Sequence, residues 1–108
     1  MNYSNGNPRM HYTYDNNKII KIFYYYENGE LEQICSYSRD NKDHKVTDFY
    51  SNGHIKKESF YKNNELHNEK APAVINYDIN SNVVSREFYL NGKKVDELAI
   101  LINNIEEW

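Results

Sequence analysis

Asn-Gly dipeptides punctuate the part of the chain that follows the first ten residues, at Asn28-Gly29, Asn52-Gly53 and Asn91-Gly92. Asn and Gly both tolerate positive φ, which the two central residues of a tight β-hairpin turn require. Around these dipeptides apolar and polar residues alternate, which is the pattern of a strand with one buried face. The dipeptides therefore predict tandem antiparallel hairpins, each closed by a two-residue turn.

These hairpins recur as a repeat along the chain. Residues 26–31 resemble residues 50–55 at an offset of 24, and a third copy begins at Tyr77. An offset of 28 links the segments that begin at Phe60 and Phe88. Self-similarity at a fixed period is the signature of repeat architectures, in which each unit stacks on its neighbours.

The turn at Asn52-Gly53 predicts a register for its hairpin. In that register Tyr50 lies opposite Ile55, and Asp48 lies opposite Lys57. Opposite charges across an antiparallel ladder stabilise the pairing, so the Asp48–Lys57 pair supports it.

Aromatic residues recur at fixed places in the units and predict stripes of rings along the sheet. The stripes are either core or an exposed contact surface, and the sequence leaves both open. One set consists of Tyr26, Tyr50 and Tyr77, and the other of Tyr37, Tyr61 and Tyr89.

The last residues lose the alternation and predict an amphipathic helix. Asp96 is the expected N-cap, with Glu97 at the positive end of the helix dipole. The helix is interpreted as a cap over the last hairpin, or else as a docking or dimerisation element. The predicted apolar face consists of Leu98, Leu101, Ile102, Ile105 and Trp108.

The predicted fold is mainly β, an antiparallel sheet of tandem hairpin repeats with a short C-terminal α-helix. We expect a single domain over residues 1–108. It divides into a degenerate N-terminal hairpin (1–20), the hairpin repeats (21–94) and the capping helix (95–108).

Charge and hydropathy narrow the functional classes. The net charge is −3, from 13 basic and 16 acidic side chains, and no basic run could neutralise a line of phosphates. Nucleic-acid binding is therefore disfavoured. No run of 18 apolar residues predicts a membrane span, and residues 1–8 lack the features of a secretory signal. These features predict a cytoplasmic protein, bacterial or, if phage-encoded, in the host cytoplasm.

Residues that could carry catalysis or bind metal are sparse. Cys35 is the single cysteine, in an apolar-to-polar alternation typical of a strand. The four histidines show no metal-ligand spacing: His11, His44, His54 and His67. No phosphate-binding glycine loop or nucleophile motif occurs. We therefore expect a chain that is not an enzyme and that needs no metal or cofactor.

One block resembles a known repeat. Residues 66–75, with Tyr77 after them, resemble a bacterial and viral repeat that reads Leu-His-Arg-Glu-Asp/Asn-Gly-Pro-Ala-Val-Ile. The Tyr-x-Asn-Gly-x-Leu/Ile units resemble the MORN-variant repeats of proteins described as antitoxin components. Ala71 replaces the usual Gly, and residues 80–82 replace Asn-Gly, which predicts a longer loop near Ile79. The resemblance implies a hairpin array that binds partners, without catalytic residues.

The leading functional hypothesis is a stoichiometric protein-binding inhibitor or adaptor, similar to an antitoxin or a phage-encoded anti-CRISPR protein. Its partner would be a toxin or a host defence complex. Two alternatives stay open. One is a self-assembly module that forms a homodimer through an edge strand near residues 10–14 or through the C-terminal helix. The other is a carbohydrate or lipid-headgroup binder. The predicted contact residues are Tyr24, Tyr25, Tyr37, Tyr61 and Tyr89, with His54 and His67.

Overall fold

A computed structural model describes residues 4, 6, 9–40 and 42–106, with only the backbone given over 103–106. Within these residues the chain forms one antiparallel sheet followed by a helix, which confirms the predicted fold class. The elements are β1 (Met10–Asp15), β2 (Lys18–Tyr25), β3 (Leu31–Tyr37), β4 (Asp43–Phe49), β5 (Ile55–Lys62), β6 (Glu65–Leu66), β7 (Val74–Tyr77), β8 (Val83–Leu90), β9 (Lys93–Val95) and α1 (Glu97–Glu106). The strand order is β1-β2-β3-β4-β5-β7-β8-β9, and β6 pairs with the end of β5.

The molecule is a single layer of sheet. Its dimensions are 53 × 38 × 19 Å, and its radius of gyration is 16.1 Å, against about 13 Å for an ordinary domain of this length. Most small domains pack two layers around a core. Within the described chain, the best-covered side chains are mostly small, and they are Cys35, Ser59, Ala73, Val74 and Ile100. Both faces of the sheet therefore remain largely accessible.

Two kinds of short turn recur among the described hairpins. Asn16-Asn17, Asn63-Asn64 and Asn91-Gly92 have positive φ at both residues, from 50° to 80°. These are the two-residue turns that match the twist of the flanking strands. The prediction was right for Asn91-Gly92. The other two turns carry no Asn-Gly signal, because Asn occupies both positions.

The turns at Asn28-Gly29 and Asn52-Gly53 are different, and the predicted two-residue loops there are wrong. Only the glycines have positive φ, 93° at Gly29 and 91° at Gly53. The N–H of Gly29 donates to the carbonyl of Tyr26 at 2.9 Å, and the N–H of Tyr26 donates to the carbonyl of Glu30 at 2.8 Å. This is a three-residue loop, in which a turn is followed by a glycine bulge. The Asn28 side chain accepts a bond from the N–H of Glu30, which favours this geometry.

The third turn has the same geometry without glycine. Ser81 takes the glycine position with φ of 71°. Its N–H donates to the carbonyl of Asp78, whose own N–H donates to the carbonyl of Asn82. The loop near Ile79 is therefore as long as the two glycine loops, and the predicted extra length is wrong. Asp78, not Tyr77, occupies the position of Tyr26 and Tyr50, so the first predicted stripe is also wrong at its third member.

A β-bulge follows each three-residue turn. Asp48 pairs with Lys57 as predicted, but Phe49 then pairs with Ile55, which leaves Lys56 as the extra residue. The same shift leaves Glu32 extra in β3 and Val84 extra in β8. The predicted pairing of Tyr50 with Ile55 is therefore wrong, because the bulge moves Ile55 by one position.

The C-terminal helix begins at the predicted N-cap, but its buried side is not the predicted one. The Asp96 carboxylate accepts a bond from the N–H of Ala99 at 3.0 Å, which is an N-cap. Ile100 is 2% exposed, whereas Leu98, Leu101 and Ile102 are 47–60% exposed. The predicted apolar face is therefore wrong over these residues, because helical spacing defines a stripe without fixing which way it points. Trp108 and the Ile105 side chain lie outside the described residues.

Candidate functional site

Strand alternation and register separate the aromatic residues onto two faces. The side we call the tyrosine face carries Tyr24, Tyr37, His44, Tyr61 and Tyr89. The other side, the phenylalanine face, carries Phe23, Phe49, Phe60 and Phe88. The pKa of Tyr24 supports this grouping, since it is raised by burial and by its neighbours Cys35 and Tyr12.

Three side chains on the tyrosine face form a ring stack, which consists of Tyr37, His44 and Tyr61. They are neighbours across β3, β4 and β5. The ring centroids of His44 and Tyr61 are 4.4 Å apart with planes 2° from parallel, and those of Tyr37 and His44 are 5.2 Å apart at 29°. Stacked aromatic pairs contribute beyond the area they bury, so the stack stiffens this part of the sheet.

The central ring of the stack is held neutral. Burial lowers the pKa of His44, and the nearby Asp43 carboxylate only partly offsets that effect. Among the described residues, the buried Nδ1 atom has no hydrogen-bond partner. A neutral imidazole between two phenol rings presents a largely uncharged strip, flanked by hydroxyl groups.

Tyrosines at the turns tie each hairpin to the next. The Tyr26 hydroxyl donates to the carbonyl of Phe49 at 2.6 Å, and the Tyr50 hydroxyl donates to the carbonyl of Tyr77 at 2.8 Å. Phe49 and Tyr77 are equivalent, since each immediately precedes the first residue of a three-residue turn. These two tyrosines are therefore structural, and we do not count them as contact residues.

A charged network on the phenylalanine face reinforces the middle strands. Lys45 lies 2.9 Å from the Glu58 carboxylate, which also accepts a bond from the Tyr77 hydroxyl at 2.7 Å. Burial opposes ionisation of Glu58, but the bonds from Lys45 and Tyr77 outweigh it and its pKa is lowered. The same hydrogen bond raises the pKa of Tyr77.

An open groove of about 640 Å³ lies where β3, β4 and β5 meet the segment between β6 and β7. Alternation places Phe60 and Lys62 on the phenylalanine face, and Glu69 of the crossing segment reaches Lys62 at 3.8 Å. The groove therefore adjoins the ring stack, whose three residues line it together with Phe60 and Lys62. Its lining consists of Ser36, Tyr37, Ser38, Asp43, His44, Lys45, Phe60, Tyr61, Lys62, His67, Asn68, Glu69 and Lys70.

His67 holds the wall of this groove. Its Nδ1 atom accepts a bond from the N–H of Asn91 at 2.8 Å, so the other ring nitrogen carries the proton of the neutral form. That Nε2 atom lies 3.4 Å from the Glu69 carboxylate. His67 therefore joins the crossing segment to the β8–β9 turn. Pro72 lies in the same segment, where its missing N–H removes no bond from a strand ladder.

The predicted contact residues are only partly brought together. Tyr24, Tyr37, Tyr61 and Tyr89 share the tyrosine face, whereas Tyr25 lies on the other one. The rings are half-buried, and the strongly exposed tyrosine is Tyr14 at 61%. His54 lies at a turn, with its Nδ1 atom 2.7 Å from the carbonyl of Ile79, where it fastens two turns together.

His44 is the residue that the sequence analysis missed. The signal for it was present, because the correctly predicted pair Asp48–Lys57 continues along the ladder to place His44 opposite Tyr61. β4 has few apolar residues, so its alternation is weak and the predicted register was not extended to His44.

Cys35 lies at the centre of the tyrosine face and is 8% exposed. Burial raises the pKa of its thiol, with a further contribution from Asp48. Thiolates are the reactive form of cysteine, so burial and the raised pKa both disfavour reaction of this side chain. Across the described ranges no group of three or more His, Cys, Asp or Glu side chains is arranged to hold a metal ion. No helix within them is long and apolar enough to cross a membrane.

Fold and surface together define a hairpin-repeat module built as a single sheet. Residues 20–39 and 45–63 match the family model described as the MORN repeat variant. Each match covers one hairpin with a three-residue glycine turn, β2–β3 and β4–β5. MORN repeats suggest a binding module, and the family is generally not enzymatic. A search of curated proteins and a search of solved structures found no match to the chain.

Proposed function

We propose that this chain is a non-catalytic module that binds a protein partner stoichiometrically through its tyrosine face and acts as an inhibitor or adaptor. The observation that carries the proposal is the ring stack of Tyr37, His44 and Tyr61 on a sheet over which the described residues form no second layer. A sheet face normally buries itself against another element. A partner that supplied that layer would cover the rings.

The chemistry of the face suits a protein partner. Tyrosine is enriched in protein interfaces because it offers a large contact area with few rotatable bonds. The stack is already ordered before binding, since His44 is held between two rings. Binding to an ordered surface loses less conformational freedom. A sugar needs a free ring face to lie on, and stacking covers both faces of His44, so the tyrosine face suits a carbohydrate less well.

The partner class in this proposal is a toxin or a host defence complex. An inhibitor of such a target acts by occupying a surface and needs no catalytic group. A flat molecule with extents of 53 × 38 × 19 Å offers enough area for an interface of standard size. The ring stack and the groove adjoin, because Tyr37, His44 and Tyr61 also line the groove. Adjacent residues of β5, Tyr61 and Lys62, separate the tyrosine face from the phenylalanine face.

The test uses purified full-length chain as bait in a lysate of the native host, followed by mass spectrometry. A captured protein supports the proposal only if the purified pair forms a complex of fixed stoichiometry by light scattering. Tyr61→Ala should then weaken the complex roughly 10- to 30-fold. Lys62→Ala, the next residue on β5 but on the phenylalanine face, should leave it within about threefold.

Thermal melts of both variants separate loss of binding from loss of folding. Ile79→Ala, at an exposed turn, is a second control. Loss of binding in Lys62→Ala alone would move the interface to the phenylalanine face and contradict the proposed face. A host proteome that yields no stoichiometric partner would contradict the function itself.

A further inference from the structure

We infer that β1 is a pairing edge at which two copies of this chain join their sheets into one. β1 (Met10–Asp15) ends the strand order and is bonded to β2 alone within the described sheet. Unpaired edges present rows of N–H and C=O groups that favour addition of another strand. This inference is independent of the proposed function, because it concerns the edge and not the tyrosine face.

The backbone polarity of β1 defines which groups face outward. The carbonyl of Arg9 accepts the N–H of Tyr25 at 3.1 Å, so Arg9, His11 and Thr13 direct their backbone groups toward β2. The alternate residues, Met10, Tyr12 and Tyr14, therefore direct their N–H and C=O groups away from the sheet. The strand has no proline or lysine to blunt this edge, and the bulge in its ladder with β2 places the extra residue, Ile20, in β2.

One antiparallel register uses all of these outward groups. It pairs Tyr12 with Tyr12 of the second copy and Met10 with Tyr14 of the second copy, around a two-fold axis through the centre of the strand. Self-complementary pairing of this kind is the normal geometry of a symmetric dimer. A shift by two residues in either direction would leave part of the outward row unpaired.

Side chains support the same register. With Tyr12 on the axis, Arg9 of each copy lies directly opposite Asp15 of the other, which gives two pairs of opposite charge. Opposite charges at directly facing positions favour a register, and like charges oppose it. The pairing would also cover Tyr12 and Tyr14, which are 37% and 61% exposed and already lie 6.3 Å apart between ring centroids. Within one copy Asp15 meets Arg39 only at 3.7 Å, and Arg39 is 91% exposed.

The opposite edge of the sheet differs. β9 is three residues long, contains Lys93 and Lys94, and leads directly into α1. Lysines and short strands are common means of preventing edge pairing. The geometry therefore predicts a dimer with two β1 strands at its centre, not an open-ended fibre.

The first experiment is sedimentation equilibrium of the full chain over a concentration series, with a dimer of twice 12.9 kDa expected. Tyr12→Pro removes an outward N–H while β1 keeps its bonds to β2, so this variant should be monomeric. Lys94→Pro, the matched change on the other edge, should still dimerise. A wild-type chain that is monomeric at every concentration overturns the inference, as does a dimer that Lys94→Pro dissociates and Tyr12→Pro does not.

The second experiment tests the register without a proline. Arg9→Glu sets a second carboxylate against Asp15, and Asp15→Lys sets a second cation against Arg9, so each variant alone should dimerise roughly tenfold more weakly. An equimolar mixture of the two variants restores both opposite-charge pairs, and it should recover a dimer containing one copy of each. If the mixture associates no better than the separate variants, the proposed register is wrong.

Discussion

The side-chain hydroxyl of Tyr50 donates a hydrogen bond to the backbone carbonyl of Tyr77, 2.8 Å away and 27 residues later in the chain. Tyr26 makes the equivalent bond to Phe49. Each bond joins the turn of one repeat to the last strand residue before the next turn. In a sheet without a second layer, such bonds carry part of the stability that a packed core usually provides.

The first prediction concerns these ties. Tyr50→Phe removes the hydroxyl and leaves the part-buried carbonyl of Tyr77 without its side-chain donor, so the free energy of unfolding should fall by about 1 kcal/mol. Tyr26→Phe should have a similar effect. Tyr14→Phe, at a strongly exposed ring, is the control and should change it by less than about 0.3 kcal/mol. Urea denaturation measures all three, and equal effects in the three variants would contradict a structural role for the ties.

The second prediction concerns the left-handed position of the three-residue turns. Ser81 adopts φ of 71° where the other two turns have glycine. Ser81→Gly should therefore raise the free energy of unfolding, by up to about 1 kcal/mol. Gly53→Ser is the reciprocal change and should lower it by about 1 kcal/mol. Open space surrounds a Cβ placed at residue 53, so the cost there is backbone strain alone. Thermal melts measure both variants, and the prediction requires that Ser81→Gly raise the melting temperature and that Gly53→Ser lower it.

The third prediction follows from the depressed pKa of His44. Its ordinary value is 6.5, and burial holds the folded value below that. Below about pH 6.5 the unfolded chain therefore binds more protons than the folded one, and stability falls as the pH drops toward the folded pKa. Above that pH the contribution is fully present.

The variant His44→Phe keeps a ring in the stack and removes the titration. Urea unfolding at pH 8, 6.5 and 5 should show a smaller loss of stability for His44→Phe than for the wild type. Parallel pH profiles for the two proteins would show that His44 is not the group responsible.

The fourth prediction concerns the Glu58 network. Glu58→Gln keeps an acceptor for the Tyr77 hydroxyl but loses the charge that faces Lys45 at 2.9 Å. Because the Glu58 side chain is only 16% exposed, the variant should be less stable by about 1–2 kcal/mol. Glu30→Gln, at an exposed turn, is the matched control. Chemical denaturation at neutral pH distinguishes them, and a Glu58→Gln variant as stable as wild type would refute the network.

The fifth prediction concerns Cys35. Because the thiol is buried and its pKa is raised, alkylation by iodoacetamide at pH 8 should be slow in the native chain and fast in urea. Intact-mass spectrometry over time gives both rates. Rapid modification of the folded protein would mean that the tyrosine face opens at Cys35.

The sequence predicted the hairpins but not the local geometry that joins them. Asn-Gly marks a turn, yet the same dipeptide closes a two-residue loop at Asn91-Gly92 and a three-residue loop at Asn28-Gly29. The difference depends on how the strands align beyond the turn, which no dipeptide encodes. The third turn was harder still, because Ser81 occupies a position that glycine normally takes.

The candidate site was also only partly predictable from the sequence. Alternation correctly sends Tyr24 and Tyr25 to opposite faces, but it does not reveal that the hairpins form a single layer. Ile100 was missed as the buried helix residue because spacing defines an amphipathic stripe without its orientation. Strand register was the most informative feature of the sequence. Extending the predicted register from the Asp48–Lys57 pair places His44 opposite Tyr61, which would have identified the ring stack.

The hydrogen bonds that Tyr26 and Tyr50 make between turns run in one direction along the chain and are not continued at the third turn. Each tyrosine hydroxyl donates to a carbonyl later in the chain, but the third turn has Asp78 at the equivalent position. The Asp78 carboxylate instead accepts N–H bonds from Asn80 and Asn82 within its own loop. A duplicated hairpin inserted upstream of Phe49 could form this hydroxyl-to-carbonyl bond with the hairpin on each side of it. A hairpin added after β8 could not, because the preceding turn has no tyrosine to donate the bond. Asp78→Tyr is therefore the natural starting point for lengthening the protein by design.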